Sequence, residues 1–500
     1  MKLSIKILLF FISVTILSSC KKYLDLAPIS SQANTNFFKS ESDIDQALAG
    51  VYNVLLTYPD VDNYYLSECR SSNFYIYSVD AARDYYTLAH FQTTSSLDAL
   101  ETSWTMNYRL IERANHILDV IDNISFADTT KRSREKAETR FLRAYAYFDL
   151  VKIFGPVPLI KTVVSSADAM KYPRVGVDTI YNFITSELQA VANTTTLPYK
   201  YTTAALNGRV TRLAALGMLG KAYMYMAGYP LQKTAYYQNA QTVLKQVLDL
   251  ETTYWTFAPT YGEIFKTVND NKYNLFEVQY ISGGKGLGSV IPGEVVPLDI
   301  TTTLLPFGYY YIAGTPAPSR DLINSYETGD KREFLTIDTL YRNKTNAWIQ
   351  KDWVRKYLDS TVASTISSSS DWPNNFPLLR TEDIMLLYAE ATNEIGGPTA
   401  TTIAIVNRIR TRAGLPGINP ASQASFRTAI FNERRHELAW EGQYWFDLVR
   451  TNTFVSVMNT FLTAYYPTNS TAVTQTQYLL PVPLVEMNVS PGLYYQNAGY

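Results

Sequence analysis

Residues 136–160 read KAETRFLRAYAYFDLVKIFGPVPLI, and this stretch decides the fold. Phe141, Leu142, Tyr145, Phe148, Leu150, Val151 and Phe154 spread apolar surface around most of a helical wheel. A helix apolar on nearly every side is buried between other helices, not laid on a surface. It is expected to stop near Gly155, which can take a left-handed cap, because Pro156 cannot continue it. Its few polar residues, Glu138, Arg140, Arg143, Asp149 and Lys152, then need partners on neighbouring helices or an exit to water. The stretch reads as the central rod of an α-helical scaffold.

Helical periodicity continues on both sides of the rod. Residues 97–121 carry Trp104, Tyr108, Ile111, Ala114, Ile117, Leu118 and Ile121 at threes and fours, and are expected to pair antiparallel with it. Upstream, Ser40, Glu41 and Ser42 start a helix with Ile44, Ala47, Leu48, Val51 and Leu55 on one face. Downstream, 179–191 and 209–229 make a second pair, joined by 235–250. Within it, Leu216-x-x-Leu219-Gly220-x-x-Tyr223 reproduces the front half of the tetratricopeptide pattern, where a small Gly lets two helices approach. Tyr237 and Ala240 come one residue later than the back half expects, so the motif is degenerate. Helices resume at 380–395, 401–413 and 426–450. The fold class expected is mainly α, a degenerate tetratricopeptide-type helix-pair scaffold with long irregular loops and a few short strands.

Between the helices the texture changes. Residues 60–94 show no sustained periodicity and are dense in aromatics, which marks a functional loop. From 251 to 377, turn residues and short apolar runs dominate; Leu275 to Ile281 (LFEVQYI) alternates like a strand. The glycine-rich SGGKGLG at 282–288 lacks the Ser or Thr after Lys of a phosphate loop and reads as a flexible turn. Residues 361–370, nearly all Ser, Thr and Ala, read as a mobile surface loop.

The N-terminus is a targeting segment. Lys2 and Lys6 precede an apolar run, and Leu17-Ser18-Ser19-Cys20 follows at once. Small residues before a cysteine at that place resemble a bacterial lipobox, which implies cleavage before Cys20 and lipid on Cys20. The apolar run falls short of the roughly 20 residues of a spanning helix. With Cys20 given to lipid, Cys69 is the only other cysteine, and no internal disulfide forms. The expected division is a signal peptide at 1–19, a lipidated tether at 20–36, and two regions, 37–275 and 276–500, of one intertwined unit.

Composition narrows the function. The chain has 500 residues and a net charge of −1, without the clustered Lys and Arg of a nucleic-acid footprint. His90, His116 and His436 are far apart, with no metal-ligand spacing. No metal or cofactor is expected; a structural Ca²⁺ is left open without a ligand pattern to support it. There is no G-x-S-x-G elbow. Glu433, Glu437 and Glu441 recur every four residues beside Arg434, Arg435 and Arg450, a spacing that reads as ion pairing between helices sooner than as a catalytic carboxylate pair. The 39 tyrosines point elsewhere. Sugars present apolar C–H faces with hydroxyls around them, so their sites combine aromatic planes with a few amide, carboxylate or Arg groups. The first loop offers Asn73, Tyr75, Tyr77, Arg83, Tyr85 and Tyr86, and the middle region Tyr309, Tyr310, Trp348 and Trp372. Each could instead close a loop onto the scaffold. Trp104, at helical spacing from Tyr108, belongs to the core.

Several short pieces, taken in order, resemble the SusD/RagB family of surface lipoproteins. They are Cys20 followed by Tyr23-Leu24-Asp25, the rod ending FGPVPLI, and Pro318-Ser319-x-Asp321-Leu322 with Tyr326-Glu327-x-Gly329-Asp330. Leu379-Arg380-x-Glu382-Asp383, Asn407-x-Ile409-Arg410-x-Arg412-Ala413-Gly414, Glu433-Arg434-Arg435-x-Glu437-Leu438 and Leu480-Pro481-Val482-Pro483 complete them. The family often carries Arg soon after the Glu-Gly at 441–442, where this chain has Gln443 and Tyr444. The resemblance implies a non-catalytic lipoprotein on the bacterial outer membrane, a lid over a SusC-like TonB-dependent channel that captures glycan oligomers for import. Oligopeptide capture is the alternative within the binding class, and a surface glycoside hydrolase the alternative outside it.

Overall fold

The computed structural model describes residues 37–57, 63–76, 83–297, 299–300, 316–489 and 491–500. Cys20, Tyr77, Tyr309 and Tyr310, with the expected signal and tether, lie outside them.

The scaffold begins at α1 (Glu41–Val54), where Ser40 and Asp43 exchange both bonds of a capping box. Helix α2 (Asp98–Val120) then packs antiparallel to α3 (Thr129–Phe154), the rod expected from sequence. Asp128 caps α3 by accepting from the Thr130 N–H at 2.8 Å. Gly155 ends it at φ +70°, and a Cβ there would stand 2.5 Å from Leu479 Cδ1, so the stop is steric as well as conformational.

The rod's polar residues find partners on three sides. Glu138 accepts from Tyr52 Oη (2.7 Å), Tyr201 Oη (3.1 Å) and Arg209 Nε (2.7 Å). Arg143 reaches Glu187 (2.7 Å) and the Asn115 side-chain oxygen (2.8 Å). Lys152 pairs with Asp149 at 2.8 Å and lies over the Phe148 and Phe446 rings.

Helices α4 (Val177–Ala192), α5 (Arg212–Ala227) and α6 (Tyr236–Leu248) extend the layer, each packing on the one before. Gly220 does what the tetratricopeptide pattern requires: a Cβ there would meet Leu244 Cδ2 of α6 at 2.4 Å.

Strands are few and paired in twos. Strand β1 (Phe74–Tyr75) pairs antiparallel with β3 (Ala317–Pro318), and β2 (Asn274–Val278), within the expected LFEVQYI strand, pairs with β6 (Phe376–Arg380). A hairpin of β4 (Ile337–Arg342) and β5 (Trp348–Val354) stands between them in sequence. Strand β6 leads straight into α7 (Thr381–Gly396), followed by α8 (Ala400–Ala413) and α9 (Gln423–Glu437). One hydrophobic core runs through residues from Ile44 to Val482, so both halves of the chain share it.

Three expectations are corrected. The helix expected over 426–450 breaks: α9 ends at Glu437 and α10 (Tyr444–Arg450) restarts, with Trp440 at φ +61° and Gly442 at φ +68° between. The break turns Glu441 off the helix face and onto Arg380 Nε (2.8 Å) and Lys356 Nζ (2.5 Å). Secondly, the described parts of 60–94 carry the short helices Asn63–Glu68 and Arg83–Ala89 as well as β1. Thirdly, 361–370 is not free: Asp359 caps a 3₁₀ turn at Ser360–Thr365, and Asp371 Oδ2 accepts from the Ser367 N–H and hydroxyl at 2.9 and 2.6 Å. The same oxygen accepts from the N–H groups of Gly283 and Gly284 (2.9 and 3.0 Å), so an internal carboxylate fills the glycine turn.

Replacing Gly220 by Val is expected to cost about 1–3 kcal/mol by overpacking against Leu244. Urea unfolding of the two proteins checks it, with an unchanged slope and a lowered midpoint as the outcome.

Candidate functional site

The pairing of β1 with β3 brings distant parts of the chain together. Tyr75 faces Ala317 in register, so the chain leaves β1 beyond Ile76 beside the point where it rejoins at Pro316. The other flank of 301–315, Asp299 and Ile300, is fastened to the β4–β5 hairpin. Ile300 bridges Asn343, the Lys344 N–H donates to Asp299 O (2.7 Å), and Tyr341 Oη donates to the Asp299 carboxylate (2.6 Å). Strand β3 also packs on β5. The two segments holding the sequence candidates therefore have their flanks gathered around one hairpin.

That hairpin carries Trp348. It opens β5 with 59% of its surface exposed, directly opposite Arg342, whose guanidinium carbon stands 4.6 Å above the indole. The turn between them is tightly built: Asn343 Oδ1 accepts from the Thr345 N–H, the Thr345 hydroxyl and the Ala347 N–H, and Asn346 Oδ1 accepts from Arg342 Nη1 at 2.8 Å. Beside it lies a cleft of about 360 Å³, lined by Trp348, Arg342, Leu340, Asp338, Arg355 and Ser360 over Tyr341 and Trp353. A rigid aromatic plane with a fixed guanidinium at a cleft mouth is suited to a flat apolar face edged by polar groups.

The remaining candidates divide. Tyr75 stacks parallel on Tyr466 with centroids 5.0 Å apart, and Tyr466 Oη accepts from the Ile76 N–H at 2.9 Å. Tyr86 stacks on His90 at 3.7 Å, and His90 leans on Tyr466 at 4.1 Å, so Tyr75, Tyr86, His90 and Tyr466 form one aromatic group behind β1. Tyr85 stacks on Tyr65 at 4.5 Å. All three candidate tyrosines are half-buried. Arg83 starts the helix Arg83–Ala89.

Two candidates are corrected. Asn73 is fully buried: its side-chain oxygen accepts from Arg435 Nε (2.9 Å) and its carbonyl from the Ser319 N–H (2.9 Å), which ties β1 to α9. Trp372 is buried in a small core with Val296, Ile300, Tyr341, Trp353 and Ile366, because Ser289 bonds its backbone in both directions and turns the indole inward. Neither presents a face to solvent. Tyr466 was missed by sequence reading; the Tyr465-Tyr466-Pro467 stop of a helix is the one signal it offers.

The acidic set is taken up by ion pairs between elements. Glu433 and Glu437 face Arg332, and Glu437 and Glu441 face Arg380, all of them buried. Burial alone would raise the Glu437 carboxyl, but Arg412, Arg380 and Arg332 hold it well below the usual carboxylate range. Among the described residues no cluster of His, Cys, Asp or Glu could hold a metal ion, and no helix is long and apolar enough to cross a membrane. The larger hollow of about 470 Å³ between α2 and residues 158–170 and 486–494 is mostly apolar, and the described residues that line it include no candidate.

The fold has many solved counterparts. A SusD superfamily protein from Parabacteroides distasonis superposes with a TM-score of 0.79 at 24% identity over 91% of this chain and 99% of that one. Surface glycan-binding protein A from Bacteroides thetaiotaomicron, solved in complex with laminarihexaose, does so at 0.78 with 19% identity over 92% and 100%. SusD-like protein P38 of Formosa agariphila is 27% identical over 90% of this chain and 92% of its own length. Residues 22–224 match the family model described as "Starch-binding associating with outer membrane", and 324–500 match that of the SusD family. The chain belongs to the SusD/RagB family. It is thereby a mainly α, non-catalytic protein and not an enzyme.

Two stability measurements test the placement of the aromatics. Trp348→Ala is expected to leave unfolding free energy within about 0.5 kcal/mol, as at other exposed positions, whereas Trp372→Ala costs about 3–5 kcal/mol. A pH titration tests how the segment before β1 is held. Glu68 is buried, accepts from the Gly442 N–H at 3.0 Å, and burial pushes its carboxyl from 4.5 up to about 7. A carboxyl raised on folding contributes stability that is present below 4.5 and lost as pH rises through about 7. Glu68→Gln is therefore expected to flatten the decline in stability between those two values, measured by denaturant unfolding at stepped pH.

Proposed function

We propose that this protein captures glycan oligosaccharides at the bacterial cell surface and passes them to a SusC-like TonB-dependent channel of the outer membrane. The observation that carries the reading is the exposed Trp348–Arg342 pair at a cleft on the hairpin to which Ile300, at the edge of one aromatic-rich segment, is fastened. Tyr75 in β1 and Tyr85 and Tyr86 in the helix Arg83–Ala89 flank the first aromatic-rich segment in sequence, and Tyr77, Arg83, Tyr309 and Tyr310 complete the candidate ligand set. Family membership, one structural counterpart solved with laminarihexaose and another that is a laminarin-binding SusD-like protein support a sugar over a peptide. Asn73 and Trp372 leave the ligand set and join the framework.

The lipobox at Cys20 makes the protein a lipid-anchored lid, held beside its channel by acyl chains that each contribute about 0.8 kcal/mol per buried methylene. The description of the N-terminal family model supports outer-membrane association. Oligopeptide capture is the second reading, distinguished by experiment.

Calorimetric titration of the full-length chain in detergent with laminarin, starch and other oligosaccharides, and with a peptide digest, tests the function. A saturable sugar isotherm, with the sugar recovered uncleaved and binding abolished in Trp348→Ala, is the expected result. Heat from the digest alone transfers the protein to the peptide carriers.

A further inference from the structure

Resting on the reading of the Trp348 hairpin as the glycan site, we infer that this site selects an anionic glycan, one bearing sulfate esters or uronate carboxylates. The chain as a whole is nearly neutral, with a net charge of −1, but the hairpin and the residues fastened to it are not. Arg320, Arg342, Lys344, Lys351 and Arg355 stand there against Asp299, Asp338 and Asp352, five cations against three carboxylates.

The distribution matters more than the count, because all three carboxylates are already engaged. Asp338 pairs with Arg355 at 3.3 Å, Asp352 with Arg320 at 2.9 Å, and Asp299 accepts from Tyr341 Oη at 2.6 Å. Arg342, Lys344 and Lys351 pair with no carboxylate among the described residues. With Asp299 still charged under a neutral hydroxyl, the hairpin and the residues fastened to it carry a net excess of two positive charges in a chain that is nearly neutral overall.

Arg342 is the residue best placed to read an anion. Its guanidinium lies over the indole, and the bond from Nη1 to Asn346 Oδ1 fixes it there. A guanidinium offers five N–H donors in a planar fork, which matches the paired oxygens of a carboxylate or sulfate. Trp348 and Leu340, both exposed on the same strand pair, give apolar surface for the sugar ring alongside. A neutral glucan would use the indole and leave the fork and both lysines without a partner.

Matched pairs of polymers test this with the full-length chain in detergent: dextran sulfate against dextran, polygalacturonate against its methyl ester, with laminarin as the neutral reference and polyglutamate as a non-sugar polyanion. One charged glycan is expected to bind about tenfold or more tighter than its neutral partner, the strength of a charged hydrogen bond. Which pair shows it identifies sulfate or carboxylate as the group read. That advantage is expected to shrink with salt and to be lost in Arg342→Gln, while Trp348→Ala weakens charged and neutral sugars alike. Circular dichroism confirms that both variants, altered at exposed positions, remain folded. Equal, Trp348-dependent binding of charged and neutral sugars overturns the inference and leaves the site standing. Polyglutamate binding as tightly as the charged glycans overturns it too, and binding of all sugars without dependence on Trp348 overturns the site itself.

Discussion

Arg380 is fully buried, and the structure is arranged around the need to neutralise it. A guanidinium removed from water is tolerated only with opposite charges and bonds for its N–H groups. Arg380 closes β6 and donates to Glu382 of α7, to Glu437 of α9 and to Glu441 in the break that follows. Arg332 joins Asp330, Glu433 and Glu437, while Arg410 and Arg412 add a second layer from α8. A second network continues through Arg434, Asp383, Asp447, Arg450 and Glu390. Lys221 of α5 completes it with Asp383 and the neutral oxygen of Gln443. Two neighbouring sets of buried charges thus clamp α5, α7, α8, α9 and α10 together. Because each member loses its compensation if another moves, each set specifies geometry more than it adds stability.

The proposed binding surface inherits its position from that clamp. Arg435, on the outer side of α9, holds Asn73 and Asp321 at 2.9 and 2.5 Å, and so fixes both β1 and the start of the helix after β3. Ser319 closes the same corner by bonding the Asn73 carbonyl. The variable segments are hung from a corner bolted to buried charges, and a long loop can differ there without cost to the core. Solved counterparts share this fold at about one residue in five.

Much of the architecture was legible because it depends on short-range rules. Periodicity placed the rod, Ser40 its neighbour's cap, and Gly220 a close helix approach; all of these follow from spacing within one or two turns. The break at 438–443 was not legible, since the sequence through Glu437, Glu441 and Trp445 is good helix, and only Arg380, some sixty residues away, pulls Glu441 out of it. The site was half legible. Aromatic density located the segments whose flanks meet, yet Trp348 and Trp372 look alike in sequence. One faces water because Asn343 builds a hairpin beneath it; the other is turned into a small core by its pairing with Ser289. Tyr466, which backs Tyr75, comes from a helix nearly four hundred residues further on.

The sequence by itself determined the helical scaffold and the family, since these rest on local periodicity and on motifs read in order. Tertiary structure alone decided which aromatics meet solvent, which carboxylates are locked to arginines, and which cations are left uncompensated. Those properties belong to pairs of residues far apart in the chain, and exposure and charge balance exist only once the chain has closed on itself.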